Sequence, residues 1–401
     1  MQNQFLLLDE WLTGQERLWR FEPFHQSLHS QLPWFETHPE MCAWLESLTQ
    51  QELSHYKSDT SSLVEQLSRF IPGSKAVFAA ISLAPSSTAN IGLDKRLDIG
   101  IPGRKLKQIE AMGSYSLAFH YGKEWLEWCS GKGYLGRVLA SQTGQRVTSF
   151  EFQSSLCESG QSEANALNLP IHFVQGDALQ PTAKQYFKAE QHAVALHACG
   201  DLHVRLMQYG CEKRLAAITL APCCYHLVQN SSYQAMSTMA KGSTLKLSRS
   251  ELRIPLQQTV TGGHRVQRHR ELEMTYRLGL DLLLRHECGL QEYMPVPSIK
   301  KSQLSLGFEA FCQWAAEVKG FHLPKVSFAQ YEKSGVERFW RMEALSLVQQ
   351  VFQRALEMWL IYDKAMYLQE QGYDVSLCEF CERDITPRNI IIHASRSKKS
   401  Q

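Results

Sequence analysis

The chain has 401 residues, of which 44% are hydrophobic, and a formal net charge of +2 at pH 7. This composition predicts a globular protein with a large buried core, and the small charge excludes a globally basic nucleic-acid binder. The 11 cysteines are an odd number, and neither a secretory signal nor a run of about 18 apolar residues is recognisable, so we expect reduced thiols in a cytoplasmic protein without a membrane span.

The first part of the chain has two patterns. Over residues 4–70 apolar side chains such as Leu63 and Leu67 recur at helical spacing. Over residues 71–116 proline and glycine interrupt the pattern, which predicts loops and short elements. We therefore expect a mainly helical N-terminal extension over residues 1–110.

The next part alternates short apolar runs with segments of helix length. This rhythm predicts βαβ units and an α/β fold with a Rossmann-like, parallel sheet. An insertion over about residues 228–340 precedes a strong amphipathic helix and two strands that close the sheet. The predicted strands are Trp125–Cys129, Arg146–Phe152, Ile171–Val174, Ala193–His197, Ala216–Leu220, Val375–Leu377 and Asn389–His393.

The strongest local signal follows the first predicted strand. Residues 127–136 read Glu-Trp-Cys-Ser-Gly-Lys-Gly-Tyr-Leu-Gly, so that a glycine-rich turn joins a strand to a helix beginning near Tyr134. Glycine lets the backbone turn sharply and approach a ligand without a Cβ clash. Such a turn alone is equally consistent with a purely structural role.

Acidic residues at the ends of the first three strands favour a ligand site. Glu151 could accept hydrogen bonds from both hydroxyls of a ribose, and Asp177 could bind an adenine amino group. Each acid by itself is more often a turn or cap residue. Together they fit a nucleoside better than a pyrophosphate, which favours S-adenosylmethionine as cofactor. The predicted cofactor-binding residues are Glu127, Cys129, Gly131, Lys132, Gly133, Glu151, Asp177, Ala178 and His197.

The fourth and fifth strands end in two polar segments, Leu-His-Ala-Cys-Gly-Asp over residues 196–201 and Pro-Cys-Cys-Tyr-His over residues 222–226. Ligands of open α/β sheets bind outside the carboxyl ends of the strands, so both segments should face the reaction centre. If the substrate is a nucleic acid, Tyr225 could stack on one of its exposed bases. His226 or Asp201 could assist loss of a proton from the substrate atom that is modified. The predicted catalytic residues are His197, Asp201, Cys223, Cys224, Tyr225 and His226.

These two segments and the Cys-Ser-Gly-Lys-Gly turn resemble a methyltransferase-like family that includes the C-terminal domain of the glutathione S-transferase C-terminal domain-containing protein. Eukaryotic acceptor-stem tRNA 2′-O-methyltransferases are similar, more distantly, through a paired-cysteine segment. The likeness spans about Ser114 to Leu227 and returns at Ile385 to Asn389. It implies a class I methyltransferase domain over residues 111–401 that uses S-adenosylmethionine, and it supplies no substrate. Cys129 replaces the usual first glycine.

Three interpretations of the strand-end cysteines stay open. Thiolates and imidazoles could bind Zn²⁺, but two adjacent cysteines do not readily provide tetrahedral geometry. One cysteine could be a covalent nucleophile, as in pyrimidine C5 methylation. We favour the third interpretation, in which the cysteines pack as small hydrophobic residues and no residue is assigned as a metal ligand.

Basic residues between Lys241 and Arg277 complete the prediction. Next to a methyl-transfer site they could bind RNA phosphates, although mixed charge is usual on any solvated surface. We expect Arg265, Arg268 and Arg270 to bind substrate, and tRNA or rRNA to be the acceptor of an S-adenosylmethionine-dependent methyltransferase. The alternatives are a protein methyltransferase and a non-catalytic RNA- or protein-binding module on a degenerate methyltransferase fold. The sequence does not determine the oligomeric state.

Overall fold

The computed structural model describes residues 1–89, 91–92, 96–97, 101–257 and 264–396. The chain divides into two compact units, which we call the sheet unit and the helical unit. The sheet unit comprises Met1–Gly14, Ala79–Gln257 and Arg354–Gln401, and the helical unit comprises Gln15–Phe78 and Gln258–Gln353. This division does not test the predicted domain limits at residues 110, 228 and 340, which stay predictions.

Seven strands within the described residues form one sheet, in the order β3-β2-β1-β4-β5-β7-β6. Strands β1 to β5 are parallel, whereas β7 runs antiparallel to both β5 and β6. The predicted Rossmann-like α/β fold is therefore confirmed. The strands are β1 (Glu124–Trp128), β2 (Val147–Glu151), β3 (Ile171–Gln175), β4 (Gln191–Ala195), β5 (Ala217–Leu220), β6 (Tyr373–Glu379) and β7 (Ile390–Arg396).

Helices precede, connect and follow the strands. The α-helices of the described residues are α1 (Gln2–Gly14), α2 (Glu16–Trp19), α3 (Pro23–Gln26), α4 (Pro39–Ser47), α5 (Gln50–Ser58), α6 (Thr60–Leu67), α7 (Ser74–Ala80), α8 (Gly103–Ala118), α9 (Tyr134–Thr143), α10 (Ser154–Ala166), α11 (Asp201–Glu212), α12 (Thr238–Gly242), α13 (His264–Cys288), α14 (Lys301–Leu304), α15 (Phe308–Lys319) and α16 (Phe328–Glu370). Two 3-10 helices cover Pro181–Tyr186 and Glu251–Leu256.

The central strand β1 is buried because helices cover both faces of a parallel sheet. Its Trp128 ring stacks on Phe150 of β2, with ring centroids 4.7 Å apart. The indole N–H of Trp128 donates a hydrogen bond to the carbonyl oxygen of Leu202 at 2.9 Å, so the polar end of this buried side chain has a partner. The chain continues from β1 to β2 on one side and reaches β4 on the other, which opens a crevice beyond the carboxyl ends of β1 and β4.

The helical unit has its own core and a buried ion pair. Phe308, Phe311 and Leu283 are among its almost fully buried side chains. The guanidinium of Arg338 donates to a carboxylate oxygen of Asp281 at 2.7 Å, and both side chains are about 95% shielded from solvent. Asp281 also pairs with Arg285 at 3.0 Å, whereas removal of Asp281 would leave the buried Arg338 without a carboxylate partner. The Arg338–Asp281 pair therefore constrains how α13 packs on α16.

Three histidines and a threonine form a row of hydrogen-bonded side chains that runs across β4, β5 and β7. Thr219 Oγ1 lies 2.7 Å from Nε2 of His192 and 2.7 Å from Nδ1 of His393. His120 Nδ1 lies 3.1 Å from Nδ1 of His192, and the His120 ring stacks on Trp125. Burial lowers the pKa of His393 to about 4 and holds the pKa of His192 well below its ordinary 6.5. These rings are therefore neutral in the folded protein.

We predict that protonation of this row of histidines destabilises the sheet unit in acid. The unfolded chain binds protons on these rings near pH 6.5, whereas the folded chain does not, so stability should fall as pH drops from about 6.5 to 4. With His393 replaced by Gln, the melting temperature should fall less over this pH range. The difference should correspond to roughly 1–3 kcal/mol in the free energy of unfolding. The control is His172→Gln, at an exposed position of the same sheet. Equal pH dependence of melting in both variants would contradict the prediction.

Candidate functional site

The loop after β1 adopts left-handed backbone at three alternate residues. The φ angles are 56° at Cys129, 58° at Gly131 and 70° at Gly133. Glycine adopts this conformation freely, whereas a residue with a Cβ pays about 1–2 kcal/mol for it. The structure thus places the non-glycine Cys129 in a strained position at the start of the loop.

Two glycines of this segment lie against neighbouring side chains, and a third borders open space. A Cβ added at Gly133 would lie 2.5 Å from the tip of the Phe173 ring, and one at Gly136 would lie 2.5 Å from a carboxylate oxygen of Glu127. These two residues allow α9 to pack closely on the sheet. Around the Cβ position of Gly131 there is nothing within 4 Å, so this glycine borders open space where a ligand can approach the backbone.

Glu151, at the end of β2, holds the loop in place. One of its carboxylate oxygens accepts a hydrogen bond from the backbone N–H of Gly131 at 2.9 Å, and the other accepts one from Gln153 at 3.0 Å. A carboxylate has about four lone-pair positions, so each oxygen keeps the capacity to accept another hydrogen bond. Asp177 likewise accepts a hydrogen bond from the backbone N–H of Leu179 at 2.9 Å, which shapes the turn after β3.

Glu127 lies beneath the loop rather than beside open solvent. Its carboxylate accepts a hydrogen bond from the hydroxyl of Ser149 at 2.7 Å, and the side chain is almost completely buried. Burial, opposed by this hydrogen bond, raises the pKa of Glu127 to about 7. The loop therefore packs on a carboxyl group whose ionised form is destabilised by burial.

A small cavity of about 30 Å³ opens between the loop and helix α8. The hydroxyl oxygen of Ser130 is buried beside it without a hydrogen-bond partner among the described residues. Lys105 of α8 also contributes to the wall, with its Nζ 5.1 Å from the centroid of the Tyr134 ring. The cavity is lined by Lys105, Ile109, Glu127, Trp128, Cys129, Ser130, Tyr134, Leu135, Leu196 and His197.

The polar groups around the loop match those of a nucleoside linked to an amino acid, most of which would lie outside the cavity of about 30 Å³. The orphaned Ser130 hydroxyl needs a polar partner, Glu151 can bind hydroxyl groups, and the Lys105 ammonium can pair with a carboxylate. The sequence did not predict that Lys105 lines the cavity, because the residue lies in the segment interrupted by proline and glycine, ahead of the predicted domain boundary. No local pattern marks its approach to the loop, which depends on how α8 packs.

The turns after β4 and β5 are fastened to each other by backbone hydrogen bonds. Gly200 N–H donates to the carbonyl of Cys223 at 3.1 Å, and Asp201 N–H donates to that of Leu227 at 3.0 Å. The Asp201 carboxylate accepts a hydrogen bond from Gln229 N–H at 2.8 Å. The two predicted polar segments are thus brought together at one edge of the sheet.

The predicted acceptor residues differ in their access to this edge. His197 is exposed at one edge but lines the cavity beside the loop, and His226 is half-buried. Partial loss of hydration lowers the pKa of both imidazoles. Tyr225 is only 2% exposed, and its hydroxyl donates a hydrogen bond to a carboxylate oxygen of Glu357 at 3.2 Å. The expectation that Tyr225 stacks on a base is therefore corrected, because its ring is packed inside the sheet unit.

Three cysteines meet where the two turns touch. The sulfur atoms of Cys199 and Cys223 are 3.5 Å apart, and those of Cys199, Cys223 and Cys224 all lie within 4.8 Å of one another. Cys224 has a φ of 48°, a left-handed conformation. Hydrogen bonds from the thiols of Cys199 and Cys223, with a smaller contribution from the charge of Arg388, hold the pKa of Cys224 below its ordinary value.

The predicted substrate-binding arginines belong to α13 in the helical unit. Arg265 and Arg268 are exposed, whereas Arg270 forms an ion pair with Glu343 at 3.4 Å. In the sheet unit, burial followed by the charge of Arg253 lowers the pKa of His226, so a cation also lies near the predicted acceptor residues. The substrate-binding and catalytic roles assigned from the sequence stay predictions.

Comparison with known families identifies one domain. Residues 104–231 match the model of a family described as "Methyltransferase domain". The segment includes the glycine-rich loop and both turns at the ends of β4 and β5. The predicted methyltransferase resemblance is confirmed, and S-adenosylmethionine is the cofactor of such a domain.

Curated relatives match a similar stretch. The glutathione S-transferase C-terminal domain-containing protein of Homo sapiens is 32% identical over 114 residues, which are 28% of this chain and 17% of the relative. The Xenopus laevis protein of the same name is 33% identical over 111 residues, 26% of this chain and 17% of the relative. The chain thus spans about a sixth of the length of these relatives.

Solved structures of methyltransferases show more distant similarity. The Pyrococcus abyssi tRNA (uracil-54, C5)-methyltransferase in complex with S-adenosyl-L-homocysteine is 20% identical, with 29% of this chain and 28% of that chain covered and a TM-score of 0.25. The CcbJ methyltransferase from Streptomyces caelestis is 16% identical, with 30% of this chain and 52% of that chain covered and a TM-score of 0.24.

Within the described residues, no helix combines the length and apolar character that crossing a bilayer requires.

We predict that Gly200 is required for the contact between the two turns. Its φ is 55°, and an added Cβ would lie 1.9 Å from the backbone oxygen of Leu227. Replacing Gly200 with Ala should therefore destabilise the sheet unit by roughly 3–5 kcal/mol, through both backbone strain and the clash. The matched control is Gly144→Ala, since Gly144 has a φ of 65° and open space around it, so only about 1 kcal/mol is expected. Similar melting temperatures for the two variants would contradict this assignment.

Proposed function

We propose that the sheet unit binds S-adenosylmethionine at the loop after β1 and transfers its methyl group to an RNA acceptor at the turns after β4 and β5. The observation that carries the proposal is the hydrogen bond between Glu151 and Gly131, next to open space, within the methyltransferase-domain match. When bound, S-adenosylmethionine supplies a methyl group on a positively charged sulfur, which a nucleophile can attack directly.

Several residues would hold the cofactor. Gly131 allows close approach of the ligand to the backbone, and Glu151 accepts hydrogen bonds from the ribose hydroxyls. Lys105 pairs with the carboxylate of the methionine part, and Ser130 gains a partner for its buried hydroxyl. Phe152 follows Glu151 directly, is 66% exposed and offers an aromatic face to the adenine ring.

An imidazole is the proposed base that accepts the proton lost by the methylated oxygen or nitrogen. Burial lowers the pKa of His197 and of His226, so each ring is neutral near pH 7 and can accept a proton as the acceptor oxygen or nitrogen forms its bond to the methyl group. The Asp201 carboxylate instead binds the N–H of Gln229 and keeps the two turns in position. His197 and His226 are therefore the proposed bases, and Asp201 is a positioning residue.

Positive charge supports an RNA acceptor. Lys105 and His197 line the same cavity. After burial, the charge of Lys105 lowers the pKa of His197, and the charge of Arg253 lowers that of His226. Such cations attract phosphate groups, and the exposed Arg265 and Arg268 add further positive charge on α13. Arg270 is a weaker candidate for phosphate binding because Glu343 already pairs with it.

We predict that Lys105 contributes directly to cofactor affinity. In calorimetry with S-adenosylhomocysteine, Lys105→Gln should weaken binding about tenfold, which corresponds to the loss of one charge-assisted hydrogen bond. Glu151→Ala should weaken it further, because the loop loses one of its attachments to β2 as well as the ribose acceptor. Lys107→Gln is the control, since Lys107 is exposed on the same helix. Unchanged affinity of a folded Lys105→Gln protein would remove Lys105 from the site, and no binding by the wild type would remove the site itself.

We predict that RNA binding depends on the arginines of α13. Binding of bulk tRNA should weaken as salt rises, and the Arg265→Ala/Arg268→Ala variant should reduce the slope of log K against log salt by about 2, or roughly 0.9 per lost phosphate contact. S-adenosylhomocysteine affinity should stay unchanged. The control is Lys319→Ala/Lys325→Ala, which removes the same charge from exposed positions of the helical unit.

The acceptor class is tested by transfer of labelled methyl groups to fractions of a cell extract. Label removed by nuclease supports an RNA acceptor. Label that survives nuclease and disappears with protease overturns it in favour of a protein acceptor. Absence of both cofactor binding and label would overturn the enzymatic proposal and favour a binding module on a degenerate methyltransferase fold.

A further inference from the structure

We propose that Cys199, Cys223 and Cys224 form a binding site for one thiophilic divalent ion, with Zn²⁺ as the best match. This inference does not rest on methyl transfer, because the ligands and their geometry are independent of the cofactor. Within the part of the chain that the structure describes, these residues are the one group of three cysteine, histidine or acidic side chains whose ligand atoms could hold a metal ion together.

The distances between the sulfur atoms suit a metal centre. In tetrahedral zinc sites with Zn–S bonds of about 2.3 Å, two ligand sulfurs lie roughly 3.8 Å apart. The sulfurs of Cys199 and Cys223 are 3.5 Å apart, and all three sulfurs lie within 4.8 Å of one another. Shifts of roughly 1 Å, within the reach of side-chain rotation, would bring all three to bonding distance.

The backbone of Cys224 resolves the geometric difficulty of two adjacent cysteine ligands. In an extended segment the side chains of neighbouring residues point to opposite faces, so Cys223 and Cys224 would diverge. The left-handed φ of 48° at Cys224 turns its side chain back, and both sulfurs approach Cys199. A non-glycine residue in this conformation stores strain, which is typical of functional sites.

Backbone hydrogen bonds hold the frame around the cluster together without an ion. Cys199 and Cys223 face each other as a parallel bridge between the two turns, and Gly200 N–H donates to the carbonyl of Cys223 at 3.1 Å. Leu227 N–H donates to the carbonyl of Cys224 at 2.9 Å, which closes the second turn. A preformed frame lowers the ordering cost of binding an ion.

The cluster supplies three ligands, since His226 does not belong to the group of ligand atoms that lie within 4.8 Å of one another. A zinc site with three protein ligands keeps its fourth position for water or another small ligand. Three thiolates with Zn²⁺ carry a net charge of −1, which the nearby charge of Arg388 offsets, since Arg388 acts on both Cys199 and Cys224.

The site is tested with Co²⁺ as a spectroscopic probe for Zn²⁺. Reduced, full-length protein should take up one equivalent of Co²⁺ and develop thiolate-to-cobalt charge-transfer absorption, which excess Zn²⁺ then removes. The Cys199→Ser/Cys223→Ser variant should lose this absorption. The matched control is Cys378→Ser/Cys381→Ser, which removes the same number of thiols from a Cys-x-x-Cys pair outside the cluster.

The inference is overturned if the reduced, folded wild type gives no charge-transfer absorption, if the cluster variant keeps it, or if the control loses it. A second measurement covers a cluster variant that fails to fold. In the wild type, Zn²⁺ should protect Cys199, Cys223 and Cys224 from alkylation, as read by peptide mass spectrometry, while Cys288 stays reactive as an exposed internal reference. Equal alkylation of the cluster with and without Zn²⁺, or a Cys199–Cys223 disulfide in protein purified with Zn²⁺, would also overturn it.

Discussion

The hydrogen bond from Gly131 to the Glu151 carboxylate joins the ends of two neighbouring strands, and the arrangement of the candidate site depends on it. A second bond supports the same loop, since the backbone N–H of Ser130 donates to the carbonyl of Phe150 in β2 at 3.0 Å. The loop in turn defines one wall of the crevice between β1 and β4. A buried, charge-assisted contact of this kind is stronger than a neutral hydrogen bond, which suits a loop that must stay open to a ligand.

Strain at the site is concentrated on cysteines. Among the described residues, four that are not glycine have a positive φ: Cys129, Asn168, Arg214 and Cys224. Asn168 and Arg214 immediately follow helices α10 and α11 or their caps, where left-handed residues are common. Cys129 and Cys224 instead lie in turns at the carboxyl edge of the sheet. A cysteine at each of these two positions therefore carries a conformational cost that a glycine would avoid.

The two ends of the proposed reaction rely on different physical properties. The loop after β1 needs glycines, because Gly133 and Gly136 leave space for the Phe173 ring and the Glu127 carboxylate, and Gly131 borders open space. The turns after β4 and β5 instead pack tightly, since the backbone of Leu227 lies against Gly200 and joins the two turns. A metal ion bound to the cysteines would strengthen this second contact without touching the first, so cofactor binding and metal binding should be separable.

Sequence patterns determined the strands, the glycine-rich turn and the polar segments at strand ends, because periodicity and turn chemistry are local properties of the chain. Tertiary packing decided which of the predicted residues are accessible. Tyr225 points into the core, and Arg270 is paired with Glu343. Lys105 reaches the loop after β1 from a helix that carries no recognisable motif. The sulfur cluster also depends on packing, since the approach of Cys199 to Cys223 follows from strand order and the turn at Cys224 from a backbone angle. Contacts between residues far apart in the chain leave no periodic trace, and only the folded structure reveals them.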